Sequence, residues 1–411
     1  MLLIYRILIN LILLFSPIII LIRILKKKEH PVRFLEKVGF FSKKRKRGNL
    51  IWFHGASVGE IKSIIPLLEK FEKNPKIDQI LITSNTLSSS KIINTLKLKK
   101  IIHQFFPVDA NLVVDKFLRY WKPSKVAFID SEIWPNTILK LNKMKIPIIL
   151  LNARITKKSF TRWNFFSNFS KKIFSKINIS LSSSSESSKF LKRLNVQNVK
   201  KIGNLKFTQS DTQRNLVNKK LELYLKSKKI WCASSTHNTE EIICGQVHLN
   251  LRKKIKNLLT IIIPRHIHRC MKIKKELEKQ GLTVHLTKEG ENLRGQRDIL
   301  LVNSFGKTNL FFQYSNHVFL GGSLILHGGQ NPIEPAISGC NILHGPNIQN
   351  FREIYEYLKI NKISSKVINK QQLTKTLIKL FNQNKKSNNI KKRLMFIGKD
   401  ILNKTYKEIN L

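Results

Sequence analysis

The stretch NLIWFHGASVGE, Asn49 to Glu60, begins as a buried strand and ends as a helix start. Leu50 to Phe53 is an unbroken apolar run, the pattern of a strand covered on both faces. His54, Gly55, Ala56 and Ser57 then leave the sheet at its carboxyl end, where ligands of open α/β sheets gather. Ser57 and Glu60 have the spacing of a capping box: the hydroxyl caps the helix and the carboxylate reaches back to the first backbone amide. A carboxylate held at such a turn can also serve as a general base. Spacing alone leaves both uses open.

The same alternation of apolar run and helical stretch recurs along the chain. It predicts strands at Leu50–Phe53, Gln79–Thr83, Val126–Ile129, Pro147–Leu151, Ile177–Leu181 and Val199–Ile202, making a parallel sheet covered by helices. A second series is predicted at Ile230–Ala233, Leu258–Ile263, Thr283–Leu286, Ile299–Val302, Val318–Leu320 and Asn341–Leu343. The expected fold class is therefore α/β, with two doubly wound Rossmann-like domains facing a cleft, a size that suits 411 residues. Lys206 to Lys220 is polar and without strand character, which places a hinge there. The expected division is an anchor over 1–25, a basic linker over 26–48, domains over 49–205 and 226–411, and a hinge over 206–225. The serine run Ser182 to Ser185 reads as a βα turn with a capping serine, and the segment from Gln371 onward as an outer helix rich in lysine and asparagine.

Seventy-five Lys and Arg against 25 Asp and Glu give a net charge of +50. The lysines are spread through every segment, and no helix-turn-helix, zinc-finger or RNA-binding signature accompanies them, so no nucleic-acid partner is expected. The first 25 residues are overwhelmingly apolar, broken by Arg6, Asn10, Pro17 and Arg23 and followed by Lys26, Lys27 and Lys28. With the arginines snorkelling, the stretch approaches the roughly 20 residues that a bilayer requires. No small-residue cleavage site follows it, and the lysines favour a cytoplasmic carboxyl side. One uncleaved anchor with a cytoplasmic body is expected, its basic flank near an anionic inner-membrane surface. Cys232, Cys244, Cys270 and Cys340 show no paired spacing and read as core residues of a reducing compartment.

Further chemistry-bearing residues sit at strand ends. Glu132, in Ser131 to Asn136, brings a second carboxylate to the first domain, and Lys206 in Gly203 to Phe207 ends that domain's last strand. In the second domain Pro264, Arg265 and His266 leave an apolar strand, and Arg265 suits a phosphate. His266 and His268 lack carboxylate partners that would make them metal ligands. Gly321 to Ala336, GGSLILHGGQNPIEPA, has glycine pairs that let backbone approach a ligand. Asn331, Pro332 and Glu334 form a second cap whose free amides make an anion site, and Glu334 could accept from ribose hydroxyls. No dinucleotide or P-loop signature is present.

Seven motifs in order, HGASVGE (54–60), SEIWPN (131–136), LNARIT (151–156), GNLKF (203–207), STHNTEE (235–241), PRH (264–266) and GGSLILHGGQNPIEPA (321–336), resemble the 3-deoxy-D-manno-octulosonic acid (Kdo) transferase family. The resemblance implies an inverting GT-B glycosyltransferase that moves Kdo from the donor CMP-Kdo to the lipid A precursor, lipid IVA, with an N-terminal acceptor domain and a C-terminal nucleotide domain. It implies Glu60 as general base and Glu132 and Lys206 as stabilisers of the transition state. It places CMP at Pro264, Arg265, Asn331, Pro332, Ile333 and Glu334 and at the loop around Ser304, Phe305 and Gly306, with Ser57, Gly322 and Ser323 as phosphate or sugar contacts. No metal or other cofactor is called for. A UDP-sugar transferase of the same fold, or a basic lipid-binding or nucleic-acid-binding relic, is the alternative. Three positions depart from the family pattern: Thr239 where glycine is usual, Gln330 where histidine is usual, and Lys307 near a usual acidic residue. Lys and Arg interleaved with Phe160, Trp163, Phe165, Phe166 and Phe169 over 155–177 suggest a membrane-pressing surface, or equally a helix burying its aromatics.

Overall fold

The computed structural model describes residues 1–208, 219–287, 295–304, 308–383 and 387–410. The chain forms two compact units: Met1–Gln209 with Ile397–Leu411, and Ser210–Phe396. The last residues thus belong to the first unit, whereas the sequence reading assigned everything from 226 to 411 to the second. The C-terminal helix Ser387–Asn410 carries them back. Tyr406 packs its ring 4.8 Å from Phe71 and accepts a hydrogen bond from Asn74, and Glu408 pairs with Lys200. A Cβ on Gly398 would lie 2.3 Å from the Phe207 carbonyl, so only glycine allows the helix to pass so close to the GNLKF segment.

The first unit holds β1 (Leu50–His54), β2 (Gln79–Ser84), β3 (Ile101–Phe105), β4 (Lys125–Ile129), β5 (Ile148–Ala153), β6 (Ile179–Ser182) and β7 (Val199–Lys201). All pair in parallel, in the order β3-β2-β1-β4-β5-β6-β7. β1 and β2 are buried at every residue, as their unbroken apolar runs require. Connections run one way from β1 to β3 and the other way from β4 to β7. The order therefore reverses between β1 and β4, and a crevice is expected at their carboxyl ends. Glu60 follows β1 and Glu132 follows β4.

The second unit repeats the plan with β8 (Lys229–Thr236), β9 (Leu258–Pro264), β10 (Val284–Leu286), β11 (Ile299–Leu301), β12 (His317–Leu320), β13 (Asn341–His344) and β14 (Ser364–Lys366), in the order β10-β11-β9-β8-β12-β13-β14. Its reversal lies between β8 and β12, whose outgoing loops are STHNTEE and the glycine-rich stretch. Each unit has its own core, one around Trp52, Phe117, Trp121 and Phe128, the other around Trp231, Phe319, Leu343 and Leu377.

Two strands were not expected. In β3, His103 and Gln104 interrupt the apolar run; β14 is three residues long and polar. The linker over 26–48 is also more than a tether. Arg33–Val38 forms a short 3-10 helix whose buried Glu36 accepts from Arg33, from Ser42 and from the Phe105 amide at the end of β3. Ser184 caps the helix Ser185–Arg193 as the serine-run reading predicted. Of the expected hinge, 209–218 lie outside the described residues. The four cysteines are buried thiols, as expected of core residues.

The N-terminal helix α1 (Leu2–Leu25) is long and apolar enough to cross a membrane, with a mean hydropathy of 2.6. Only one stripe of it is partly buried, at positions 2, 5, 6, 9, 13, 16, 20, 23 and 24. The aromatics of 155–177 divide between the two readings: Phe160 and Phe174 are buried, Trp163 and Phe169 half-buried, and Phe165 is 80% exposed.

Candidate active site

In the first unit the chain leaves β1 at His54 and enters α2 (Val58–Glu72) at Ser57. Ser57 Oγ accepts from the Glu60 amide at 3.3 Å and donates to Glu60 Oε1 at 2.8 Å. Glu60 Oε2 accepts from the Ala56 amide at 2.7 Å, one residue earlier than a standard capping box would place it. The carboxylate is thus locked against the turn. Burial raises its pKa to about 7; the Ser57 hydrogen bond opposes this, and the negative charges of Asp130 and Glu132 add to it.

Glu132 lies in the loop after β4 and caps nothing; the helix Pro135–Lys143 starts after Trp134. Glu132 Oε2 accepts from His54 Nε2 at 3.2 Å and from Trp134 Nε1 at 3.0 Å. His54 is fully buried and stacks on Phe106 at 3.8 Å. Its Nδ1 faces Thr83 Oγ1 at 3.0 Å, and that hydroxyl already accepts from Trp52 Nε1 at 2.8 Å, leaving its own proton to give. Nδ1 also lies 3.2 Å from the Thr83 carbonyl oxygen, so His54 bridges the end of β2 and the Glu132 carboxylate, to which it presents Nε2.

Lys206 sits in a 3-10 turn, Leu205–Thr208, with its Nζ 3.5 Å from Asp130 Oδ2. Asp130, the residue after β4, takes a φ of +57°, and Asn152 at the end of β5 takes +52°. Their side chains hydrogen-bond to each other, and Asn152 Oδ1 accepts from the Leu205 amide. Such backbone is uncommon outside glycine and clusters at sites where a side chain must be aimed. Asp130, Asn152 and His54 were not among the residues singled out from the sequence. The rule that selected Glu132, a polar group at a strand's carboxyl end, applies equally to Asp130.

In the second unit the dominant group is Glu240, fully buried at the start of the helix Glu240–Arg252. Its oxygens accept from four backbone amides: His237 at 3.0 Å, Gly322 at 2.7 Å, Ser323 at 3.2 Å and Leu324 at 3.1 Å. This clamps the glycine-rich loop after β12 onto the loop after β8. A Cβ on Gly321 would lie 2.5 Å from the Thr236 Cα, which explains the first glycine. The clamp also takes up the amides at two of the expected contacts. The amides of Gly322 and Ser323 are spent on Glu240, and the buried Ser323 hydroxyl accepts from the Gly345 amide. Neither amide is open to a phosphate; Gly322 offers instead its α-carbon, which faces His237, His327 and Gln330.

Around that glycine the imidazoles of His237 and His327 lie 4.1 Å apart, with His266 5.9 Å from His237 and His268 5.6 Å from His266. Burial, then the neighbouring His327, lowers the His237 pKa to about 4, so it is neutral and accepts from Gln330 Nε2 at 3.2 Å. Among the described residues no three His, Cys, Asp or Glu side chains are disposed to hold a metal. Arg265, just after β9, is exposed. Asn331 Oδ1 accepts from the Ile333 amide, Pro332 is buried, and Glu334 is exposed at the start of Ile333–Ile337. That helix has five residues and Pro332 precedes it, so little dipole stands behind the expected anion site. Ser304 is half-buried; Phe305, Gly306 and Lys307 lie outside the described residues. A separate cavity of about 380 Å³ beneath Arg33, Lys43 and His103 contains none of these groups.

Thr239 carries a φ of +75°, strained for a β-branched residue. This is the position where the family pattern has glycine, and the backbone shows why.

A sequence model described as 3-Deoxy-D-manno-octulosonic-acid transferase (kdotransferase) matches residues 32–209. The 3-deoxy-D-manno-octulosonic acid transferase of Rickettsia bellii is 31% identical over 371 residues, covering 89% of this chain and 88% of that protein. The enzyme of the same name from Rickettsia prowazekii is 33% identical over 344 residues, 82% of this chain and 73% of that one. Among solved structures, a UDP-GlcNAc 2-epimerase from Neisseria meningitidis aligns with a TM-score of 0.60 at 11% identity, over 87% of this chain and all of that one, which identifies the fold as GT-B-like.

Proposed function

Since the chain belongs to the 3-deoxy-D-manno-octulosonic acid (Kdo) transferase family and is a glycosyltransferase, we propose that it moves Kdo from CMP-Kdo to lipid IVA with Glu60 as base. In this reaction an acceptor hydroxyl oxygen bonds to the anomeric C2 of Kdo while the bond from C2 to the CMP phosphate oxygen breaks. The electron pair leaves with CMP and the hydroxyl proton passes to Glu60. The attack comes from the face opposite CMP and inverts the centre.

The observation that carries the assignment is the state of Glu60. Two hydrogen bonds fix its carboxylate at the end of β1, and burial holds its pKa at about 7. A carboxylate in the ordinary range would be a weak acceptor for a hydroxyl proton; one near neutrality is matched to the task. Charge spreads over an oxocarbenium-like centre and onto the departing phosphate. Glu132, aimed by His54 and Trp134, offers negative charge to the sugar cation, and Lys206, aimed by Asp130, offers positive charge to the Kdo carboxylate or the phosphate. In the second unit Arg265, Pro264 and Asn331–Glu334 receive CMP, together with the Ser304–Gly306 loop. The neutral His237 beside Gly322 supplies hydrogen bonding there, while the charge complement falls to Arg265. Membrane attachment through α1 brings the cytoplasmic enzyme to an acceptor embedded in the inner membrane.

The test is release of CMP from CMP-Kdo in the presence of lipid IVA, by the native enzyme and by Glu60→Gln. Acceptor-dependent release that falls at least about a hundredfold in the variant is expected. Equal rates would remove Glu60 from the chemistry, and release from a UDP-sugar instead would overturn the donor.

A further inference from the structure

α1 does not stand away from the first unit. Near its start, Tyr5 donates from its hydroxyl to Asp109 at 2.7 Å, Arg6 donates to Asn136 at 3.1 Å, and the Tyr5 ring lies 6.5 Å from Phe169. Near its end, Arg23 donates to Glu29 at 3.1 Å, and the buried Glu29 is tied by Lys37 at 2.6 Å. Lys37 in turn accepts at its carbonyl from the amide of Val108, the neighbour of Asp109. From Tyr5 to Arg23 the helix rises about 27 Å. A helix crossing the bilayer has its two ends separated by about 30 Å of hydrocarbon. Both ends of α1 instead touch residues of one cytoplasmic unit.

The partly buried positions, 2, 5, 6, 9, 13, 16, 20, 23 and 24, advance by three and four apart from the adjacent pairs 5/6 and 23/24, and so form one stripe along its whole length. The rest is bare: from Met1 to Leu25, fourteen large apolar side chains are exposed. So large an apolar surface requires a partner in water. Its carboxyl-terminal flank, Lys26 to Lys28, carries the charge that anionic headgroups attract.

We propose that α1 lies in the plane of the membrane, its bare faces sunk in the cytoplasmic leaflet and both its termini on the cytoplasmic side. The inference rests on the membrane attachment stated above and replaces the single span expected from the sequence. The exposed Phe165 and Phe166, in a segment that also exposes Lys157 and Lys158, continue this lipid-facing surface next to the turn of α1 that meets Phe169. Through Asp109, which also accepts from the Asn136 and Thr137 amides, the lipid-facing helix is tied to the start of the helix that follows Glu132.

The test uses the full-length enzyme with a short hydrophilic extension carrying one cysteine before Met1; the native cysteines are buried. A membrane-impermeant maleimide is applied to intact spheroplasts and to inverted inner-membrane vesicles of a Gram-negative host, with CMP release as the check of folding. Labelling in inverted vesicles, and in spheroplasts only after lysis, is expected. Labelling in intact spheroplasts would mean that α1 spans and would overturn the inference while leaving attachment intact. Recovery of active enzyme wholly in the soluble fraction would overturn attachment itself.

Discussion

Replacing Glu60 by glutamine should remove activity and yet make the first unit more stable in alkaline solution. The side chain keeps its size and one oxygen for the Ala56 amide, but the base and the buried charge are gone. Raising a carboxyl pKa from 4.5 to about 7 corresponds to at most about 3.4 kcal/mol, and about 2 kcal/mol after allowance for partial exposure. Between 4.5 and about 7 the folded chain holds a proton that the unfolded chain has released. Stability therefore falls as pH rises through that window and levels off above it. Glutamine does not titrate, so the variant should gain about 2 kcal/mol on the native enzyme between pH 5 and pH 8. For a unit of this size that is roughly 4–8 °C in Tm. Calorimetry at the two pH values reads the stability, and CMP release reads the rate, which in the native enzyme should climb with pH through about 7. A rate unchanged in the variant, or a stability difference that does not move with pH, would refute the reasoning and leave Glu60 a helix cap.

Thr239→Gly should relieve the backbone at φ +75° and stabilise the second unit by about 1 kcal/mol, measured as a rise in its Tm; no rise would mean the strain is absent. Glu240→Gln removes the charge that four amides converge on and sets an NH₂ against some of them, so a loss of about 2–4 kcal/mol is expected together with a raised KM for CMP-Kdo. His54→Phe keeps the stack on Phe106 but leaves Glu132 without its buried donor. A fall in kcat of about 10–100-fold with little change in KM is expected, partly restored in His54→Gln, and parallel losses in both constants would point to a folding defect.

Much of this architecture can be read from the residues because parallel strands covered on both faces are written as bare apolar runs. β1, β2 and β9 are legible for that reason. β3 is not, because His103 faces the polar network of Arg33 and Ser84 and Gln104 donates to the Phe40 carbonyl, and β14 is three residues with almost no pattern to read. Glu60 was visible through local spacing, since its cap partners lie within four residues. Glu240 was not, because three of its partners stand more than eighty residues away and are backbone amides, which no side-chain pattern announces. For the same reason the sequence does not show that the Gly322 and Ser323 amides are held by Glu240. Arg6 and Arg23 read as interfacial anchors of a span; hydropathy carries no information on what their polar ends, or the Tyr5 hydroxyl, would meet.

The return of the C-terminal helix to the first unit bears on the order of synthesis. Phe71, Asn74, Lys125 and Lys200 leave the ribosome early, yet their partners Tyr406, Ile409 and Glu408 are among the last residues translated. The whole of the second unit is made in between. At roughly 5–20 residues per second that delay is on the order of 10–40 s. The nascent first unit must wait with the groove for this helix uncovered. A stalled or prematurely stopped chain would thus leave a body with that groove exposed, a natural mark for chaperones and proteases that discard unfinished enzyme.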